Sequence, residues 1–198
     1  LLSIGFSLSK ILNSFKNAKL LIKKNHSKLS KKIFYTIGFE KKYNLNILVG
    51  LSYHDKINAV NEWYRQIFAE SLGKNRNARN YISSYGSIDQ HSQFQLYIDG
   101  PNDKHFSFFK ISTPKKSISS NSNLIKSYNL MSVLEEGAIK TLQQKKFLVS
   151  QISIKDDFND YCYLLIYLIF DIYLRSIYEK INFLDQPAVE ILKKNTKA

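Results

Sequence analysis

Two polar side chains four residues apart are the clearest candidates for chemistry in this sequence. Gln66 and Glu70 lie in a segment whose apolar residues recur at helical spacing, so their side chains are neighbours on the polar face of a predicted helix. A carboxylate there is a candidate general base, because Trp63, Tyr64 and Phe68 could exclude water from it and raise its pKa. The alternative interpretation is an ordinary solvent-exposed helix face.

His91 and Lys193 are the other candidates. His91 lies in the window SIDQHSQFQLYIDGP, near the start of a predicted helix, where the helix dipole favours a neutral imidazole. A hydrogen-bonded core histidine is an equally good interpretation, and spacing alone does not decide between them. Lys193 follows the segment DQPAVE, in which Pro187 suits a first helical turn. Two lysines in a terminal helix, here Lys193 and Lys194, are ordinarily exposed to solvent.

The sequence favours no metal or cofactor. The other histidines have no HxxxH or cysteine partner at ligand spacing, and there is no GxGxxG, P-loop or GxSxG motif. Cys162 is the only cysteine and lies in an apolar run, which excludes a disulfide framework and suits a reducing, cytoplasmic location. We therefore expect chemistry that is carried out by side chains alone.

Composition restricts the class of protein. The 198 residues are 44% hydrophobic and carry a formal net charge of +13, which fits one folded domain and excludes disordered and collagen-like chains. The charge raises nucleic acid or an anionic membrane as partners. However, 25 of the 29 basic residues are lysines scattered along the chain, whereas nucleic-acid recognition favours clustered arginine. The excess of lysine, together with that of isoleucine and asparagine, is typical of compositional drift in an AT-rich genome, so we expect neither nucleic acid nor membrane as the partner.

The longest apolar stretch predicts a buried helix. It runs from Tyr161 to Phe170 and stops at Asp171, short of the ~20 residues that span a bilayer. At the other end of the sequence, Leu1 is not an initiator Met, and Lys10 comes too late for the basic region of a secretory signal. We interpret the start as a cut edge of a longer protein.

The order of predicted elements indicates an α/β fold. Strands are predicted at 46–52, 105–112 and 147–154, loops at 73–85 and 114–123, and helices around 8–15, 28–40, 55–72, 89–99, 125–145, 157–178 and from 187. Alternation of strand and helix predicts a three-layer α/β/α sandwich with a mainly parallel sheet, followed by a C-terminal helix. Such sheets bind ligands at the carboxyl ends of their strands.

Three windows in this order resemble the phosphoglucose isomerase family: WYRQIFAESLGK at 63–74, GSIDQHSQFQLYIDGPNDK at 86–104 and INFLDQPAVEILKK at 181–194. The similarity runs from about residue 45 to 197. The family's E-S-x-G-K, Q-H-S and D-Q-x-x-V-E-x-x-K elements are matched by Glu70, Ser71, Gly73, Lys74, Gln90, His91, Ser92, Asp185, Gln186, Val189, Glu190 and Lys193.

The resemblance implies a function for each candidate. Glu70 would be the base that moves a proton between C2 and C1 of an open-chain sugar phosphate through a cis-enediolate. His91 and Lys193 would assist ring opening, and Gln66 and Gln186 would contact the substrate. It further implies glycolytic and gluconeogenic interconversion of glucose 6-phosphate and fructose 6-phosphate in the cytoplasm, with no cofactor. The enzyme would be a homodimer in which His91 acts beside the Glu70 of the other chain.

The resemblance also implies a domain division and a missing part. Residues 1–44 would be a helical lead-in from an interdomain region, 45–183 a sugar isomerase (SIS) domain, and 184–198 the helix that carries Lys193. The family's phosphate-binding loop and its Gly-Gly-Arg element, whose arginine stabilises the enediolate, lie upstream of these residues. We therefore expect a C-terminal fragment that is inactive alone. The alternative is a non-catalytic module of SIS fold that binds a sugar phosphate or assists assembly.

Overall fold

The structure, a computed structural model, describes residues 7–75, 78–112 and 122–196. Its strands are β1 Ile47–Ser52, β2 Asn80–Tyr85, β3 Lys104–Ser112 and β4 Leu148–Lys155. Its helices are α1 Leu8–Lys42, α2 Asp55–Leu72, α3 Gly86–Ser92, α4 Phe94–Asp99, α5 Ser122–Gln144, α6 Phe158–Glu179 and α7 Pro187–Thr196. The four strands form one sheet of order β2-β1-β3-β4, in which every neighbouring pair is parallel.

Helices cover both faces of this sheet. Because successive residues of a strand point to opposite faces, Leu48 and Phe109 enter one core, whereas Val49 and Phe106 enter the other. Helices α1, α2 and α6 close the first core, and α4 and α5 close the second. The predicted α/β sandwich with a parallel sheet and a C-terminal helix is thereby confirmed.

Strand β2 was not predicted, because residues 73–85 were expected to form a loop. Its sequence, NYISSY, is half polar, and β2 lies at the edge of the sheet with β1 as its hydrogen-bonded neighbour. Only Ser84 of the six residues is fully buried. An edge strand needs no continuous apolar run, so the pattern typical of a buried parallel strand is absent here.

Helix α1 is one continuous helix of 35 residues, where the sequence predicted two shorter ones. The polar stretch at 23–28 is exposed and contains neither Gly nor Pro, so nothing ends the helix there. Ile33 and Ile37 of α1 pack into the same core as α6. The domain boundaries at 44/45 and 183/184 stay predictions. Of the predicted loop at 114–123, all but residues 122 and 123 lies outside the described residues.

A buried cluster of charged side chains joins α1 and α6 to the sheet. Glu40 of α1 is fully buried and accepts hydrogen bonds from Arg175 Nη1 of α6 at 2.8 Å and from His105 Nδ1 of β3 at 2.8 Å. Arg175 Nε also donates to Asp171 Oδ2 at 2.8 Å, and the Tyr64 hydroxyl donates to the same oxygen at 2.5 Å. Each buried charge therefore has a partner of opposite sign.

The cluster holds Glu40 in its charged form. Burial by itself raises the pKa of Glu40, but the Arg175 guanidinium and the hydrogen bond from His105 outweigh burial and lower that pKa from 4.5 to about 2. Because this carboxylate can only accept, Nδ1 of His105 is the donor, and Nε2 lies 2.9 Å from the Ser150 hydroxyl. One network thus connects α1, α6, β3 and β4.

Helix α6 is also, by length and composition, apolar enough to cross a membrane. In the structure it packs on α1, α2 and β4, and its inner face is buried as the sequence predicted. Its outer face is not buried, since Ile169, Tyr173 and Ile177 are exposed at helical spacing. The buried Asp171 and Arg175 lie on the inner face.

Replacing Arg175 with Met tests the buried cluster. The variant leaves Glu40 and Asp171 buried without their cation, and we expect the free energy of unfolding to fall by about 3–5 kcal/mol. The control is Arg65→Met, which removes an exposed pair with Glu62 and should cost less than about 1 kcal/mol. Urea titration at pH 7 measures both. Equal, small losses for the two variants would show that the cluster does not join these elements.

Glu135 of α5 is a buried carboxyl with weak compensation. It is 3% exposed, and its Oε1 has no hydrogen-bond partner among the described residues. Lys110 Nζ lies 3.6 Å from Oε2, but the same ammonium also pairs with Glu136. Burial therefore raises the pKa of Glu135 to about 7, against the opposing effect of Lys110.

This raised pKa predicts a pH-dependent stability. Between pH 4.5 and 7 the unfolded chain releases the Glu135 proton while the folded chain keeps it, so stability falls as pH rises through that window. Glu135→Gln should therefore raise the free energy of unfolding by about 1–3 kcal/mol at pH 8 and change it little at pH 4.5. Urea titrations at both pH values check this, with Glu190→Gln on the exposed surface of α7 as control. An equal gain at both pH values would contradict the assignment.

Candidate functional site

The position of α2 is fixed by a close approach to the sheet. Asn61, fully buried, donates from Nδ2 to the Gly50 carbonyl of β1 at 2.8 Å. The Tyr81 hydroxyl of β2 donates to Asn61 Oδ1 at 2.6 Å. A Cβ on Gly50 would lie 1.9 Å from that hydroxyl, so glycine is required for this approach. These contacts set the distance of α2 from the sheet and its rotation about its own axis, and hence the position of Glu70.

Gly73 ends α2 with a sharp turn. Its N–H donates to the Ala69 carbonyl at 2.9 Å, and a Cβ on residue 73 would lie 2.4 Å from that oxygen. The turn places Lys74 directly after the helix. This residue contacts the segment that follows α6.

The carboxylate of Glu70 is held between two side-chain amides. Gln66 Nε2 donates to Oε1 at 2.9 Å, as their spacing predicted, and Gln186 Nε2 donates to Oε2 at 3.2 Å. Glu70 and Gln186 border a cleft of about 850 Å³ between the end of α2, the start of β2 and the segment before α7. Each carboxylate oxygen therefore has a donor that fixes its direction.

Two cations lie in the same cleft, and both are engaged by the protein. Lys74 is 9% exposed, donates to the Asn182 carbonyl and pairs with Asp185 Oδ1 at 2.7 Å. Its hydrogen bond holds the pKa of Asp185 below the usual range. Arg79 donates from Nη1 to Glu179 at 3.0 Å and from Nε to the Leu45 carbonyl at 3.2 Å. Sequence reasoning gave neither Lys74 nor Arg79 a structural role, because their partners are distant in sequence.

The cleft lies at the amino-terminal ends of the strands, not at their carboxyl ends as expected. Asn80 and Tyr81, the first residues of β2, line it. Helix α2 starts after the carboxyl end of β1 and runs back along the sheet for about 27 Å. Glu70, near the end of α2, therefore lies at the amino-terminal ends of the strands. The general rule for parallel sheets therefore did not locate this candidate site.

The structure places His91 away from this cleft. It lies in the last turn of α3, exposed, after the carboxyl end of β2. The predicted single helix over 89–99 is two helices that meet at Gln93, so His91 lies at a helix end and not near a start. Glu70 lies at the amino-terminal ends of the strands and His91 at their carboxyl ends, and the length of β2 that separates these ends is about 17 Å.

Lys193 is also outside the cleft. It lies on α7, a helix without buried residues, and pairs with Glu190 at 2.8 Å on the exposed surface. The structure thus brings Gln66, Glu70 and Gln186 together within one chain. It does not bring His91 or Lys193 to them.

The expected exclusion of water from Glu70 is wrong for this chain alone. Tyr64 and Phe68 are buried against the sheet, whereas Gln66 and Glu70, two residues further along the same helix, are exposed. A shift of two positions in a helix turns a side chain to nearly the opposite face. Apolar residues close in sequence therefore could not cover this carboxylate.

The chain is thus a parallel α/β sandwich with an exposed, oriented carboxylate at a cleft. Comparison with curated proteins is more specific: the chain is 33% identical over 165 residues to the glucose-6-phosphate isomerase of Campylobacter jejuni. Similar proteins from other bacteria and from archaea carry the same name.

The match covers only part of the relatives. The aligned region is 76% of this chain and 41% of the Campylobacter jejuni protein, so the chain spans less than half the length of that relative. No family model matches the chain.

Two solved structures share the fold. A hypothetical protein from Thermus thermophilus superposes with a TM-score of 0.79 at 21% identity, over 98% of this chain and 50% of its own. A glucose-6-phosphate isomerase from Chlamydia trachomatis superposes with a TM-score of 0.56 at 17% identity, over 77% and 34% respectively. At these identities the likeness concerns the fold alone.

Proposed function

We propose that this chain is the C-terminal, proton-transferring part of a glucose-6-phosphate isomerase. The observation that carries the proposal is the Glu70 carboxylate, which is held by the amides of Gln66 and Gln186 at the cleft. A carbon acid needs one oriented base, and a fixed carboxylate meets that need. The name of the Campylobacter jejuni relative supplies the substrate class, a sugar phosphate.

In the proposed reaction, Glu70 removes the proton from C2 of open-chain glucose 6-phosphate. The electron pair of the C2–H bond forms the C1=C2 double bond, and the C1 carbonyl becomes the oxyanion of a cis-enediolate. Glu70 then returns the proton to C1, while the proton of the C2 hydroxyl passes to the C1 oxyanion, so that C1 becomes the hydroxymethyl group and C2 the carbonyl of fructose 6-phosphate. The base ends as it began, so the cycle is balanced without a cofactor.

His91 and Lys193 would open the sugar ring and handle the proton of its oxygen. Because His91 and Glu70 lie at opposite ends of the strands of one sheet, a homodimer in which His91 approaches the partner's cleft fits this geometry better than one chain does. The remaining length of the family's members would supply the phosphate site and the arginine for the enediolate. The 198 residues alone would then be inactive.

The first test replaces the base. The product of the complete reading frame that contains these residues should interconvert the two sugar phosphates, as followed by reduction of NADP⁺ through glucose-6-phosphate dehydrogenase. Glu70→Gln should lower kcat at least about 10²-fold, because general-base catalysis contributes about 10²- to 10⁴-fold. KM should change little, since the amide retains the shape and position of the carboxylate.

Glu62→Gln is the matched control on the same helix, where the carboxylate pairs with Arg65, and it should retain nearly full turnover. Absence of isomerase activity in the unsubstituted product, or full activity in Glu70→Gln, would reject the proposal.

A mixing experiment tests the shared site. Glu70→Gln and His91→Asn are each expected to be inactive. If each site combines residues of two chains, refolding equal amounts together gives half heterodimers, each with one intact site, and restores about a quarter of the activity. The control refolds each variant alone. No gain on mixing, with dimers demonstrated by light scattering, would place both residues in the same chain.

A further inference from the structure

We propose that Lys74 is a positioning residue that holds Gln186 against the Glu70 carboxylate. The inference rests on the proposed function for its kinetic consequence, but not for its structural one. It concerns how the segment from 181 to 186, between α6 and α7, is kept on the cleft.

That segment has few other anchors among the described residues. Helix α6 ends at Lys180, whose backbone is left-handed at φ 54°, and the chain then leaves the core. Helix α7 buries none of its residues. The contact of Phe183 with Tyr173, at 6.0 Å between ring centroids, lies on the exposed face of α6. The segment's other polar attachments are the hydrogen bond of the Ile181 N–H to the Ser176 carbonyl at 2.9 Å and the contact of Gln186 with Glu70, so the stretch between these two residues depends on Lys74.

Lys74 forms that attachment at two points. It donates to the Asn182 carbonyl and pairs with Asp185 Oδ1 at 2.7 Å, immediately before Gln186. The side chain is 9% exposed, so solvent competes little for its protons. Gly73 turns the chain at the end of α2 and places Lys74 four residues after Glu70. Lys74 then holds the segment whose Gln186 donates to Glu70.

A direct role of Lys74 in holding substrate fits the structure less well. Two of its three protons already have partners in the protein, and its charge is opposed by Asp185. A substrate ligand and a positioning residue also differ in kinetics. Loss of a ligand used equally in ground and transition states raises KM, whereas misplacement of an amide beside the base lowers kcat.

Hydrogen exchange tests the structural part without any reaction. Lys74→Met keeps most of the unbranched side chain and removes its charge, and it should speed amide exchange in residues 181–190 at least about tenfold, with the sheet unchanged. Asp185→Asn, which leaves the bond to Asn182, should have a smaller effect. Lys194→Met on the exposed end of α7 is the matched control and should have none. Equal exchange in Lys74→Met and the unsubstituted protein would overturn the proposal.

Kinetics test the functional part in the product of the complete reading frame. Lys74→Met should lower kcat about 10- to 100-fold with KM within about threefold, and Lys74→Arg should recover part of the loss. Lys74→Met combined with Gln186→Leu should be no slower than Gln186→Leu alone, because both changes remove the same contact. A raised KM at unchanged kcat, or additive losses in the double variant, would reject the positioning role. An inactive parent protein with faster exchange in Lys74→Met would instead reject only the isomerase function.

Discussion

The ion pair between Glu40 and Arg175 is the interaction on which the arrangement of this fold depends. It is buried, it joins the first long helix to the last one, and through His105 it reaches the middle of the sheet. Arg79 approaches Glu40 to 3.6 Å from the cleft side and also pairs with Glu179 at the end of α6. The charges that hold α1 against α6 therefore also hold the end of α6, where the segment that contains Gln186 begins.

The cleft is built from sequence-distant pieces that meet because of this arrangement. Helix α2 brings Glu70 and Gln66, and its register is set where Asn61 contacts Gly50 of β1. Gln186 comes from 116 residues further along the chain. The result is a carboxylate whose direction is fixed on both sides while the cleft remains open to a ligand. The orientation of the proposed base is supplied within the chain, whereas the shielding from water that proton abstraction would require is not, because Glu70 is exposed.

Much of the fold followed from local pattern. The strands β1, β3 and β4 each contain four residues of the types Leu, Ile, Val and Phe, and α2 and α6 have clear helical periodicity, so their positions were predicted to within two residues. Strand β2 was missed because it contains only one such residue, Ile82, and α1 was divided in two because an exposed polar stretch resembles a loop in sequence. The contact between Gln66 and Glu70 follows from helix geometry. The contact of Gln186 with Glu70, and the engagement of Lys74 and Arg79, depend on tertiary packing that no local pattern encodes. Similarly, the distance between Glu70 and His91 could not be read from their separation in sequence, because it depends on which edge of the sheet each helix reaches.

The central claim is that the Glu70 carboxylate carries a proton between two carbons of a sugar phosphate. Isomerisation in heavy water tests this directly, because a proton held on a carboxylate exchanges with solvent in competition with its return to the sugar. With the product of the complete reading frame, mass spectrometry should find deuterium on C1 of a fraction of the fructose 6-phosphate formed, and Glu70→Gln should incorporate none above the rate without enzyme. Incorporation by Glu70→Gln equal to that of the unsubstituted protein would contradict the account.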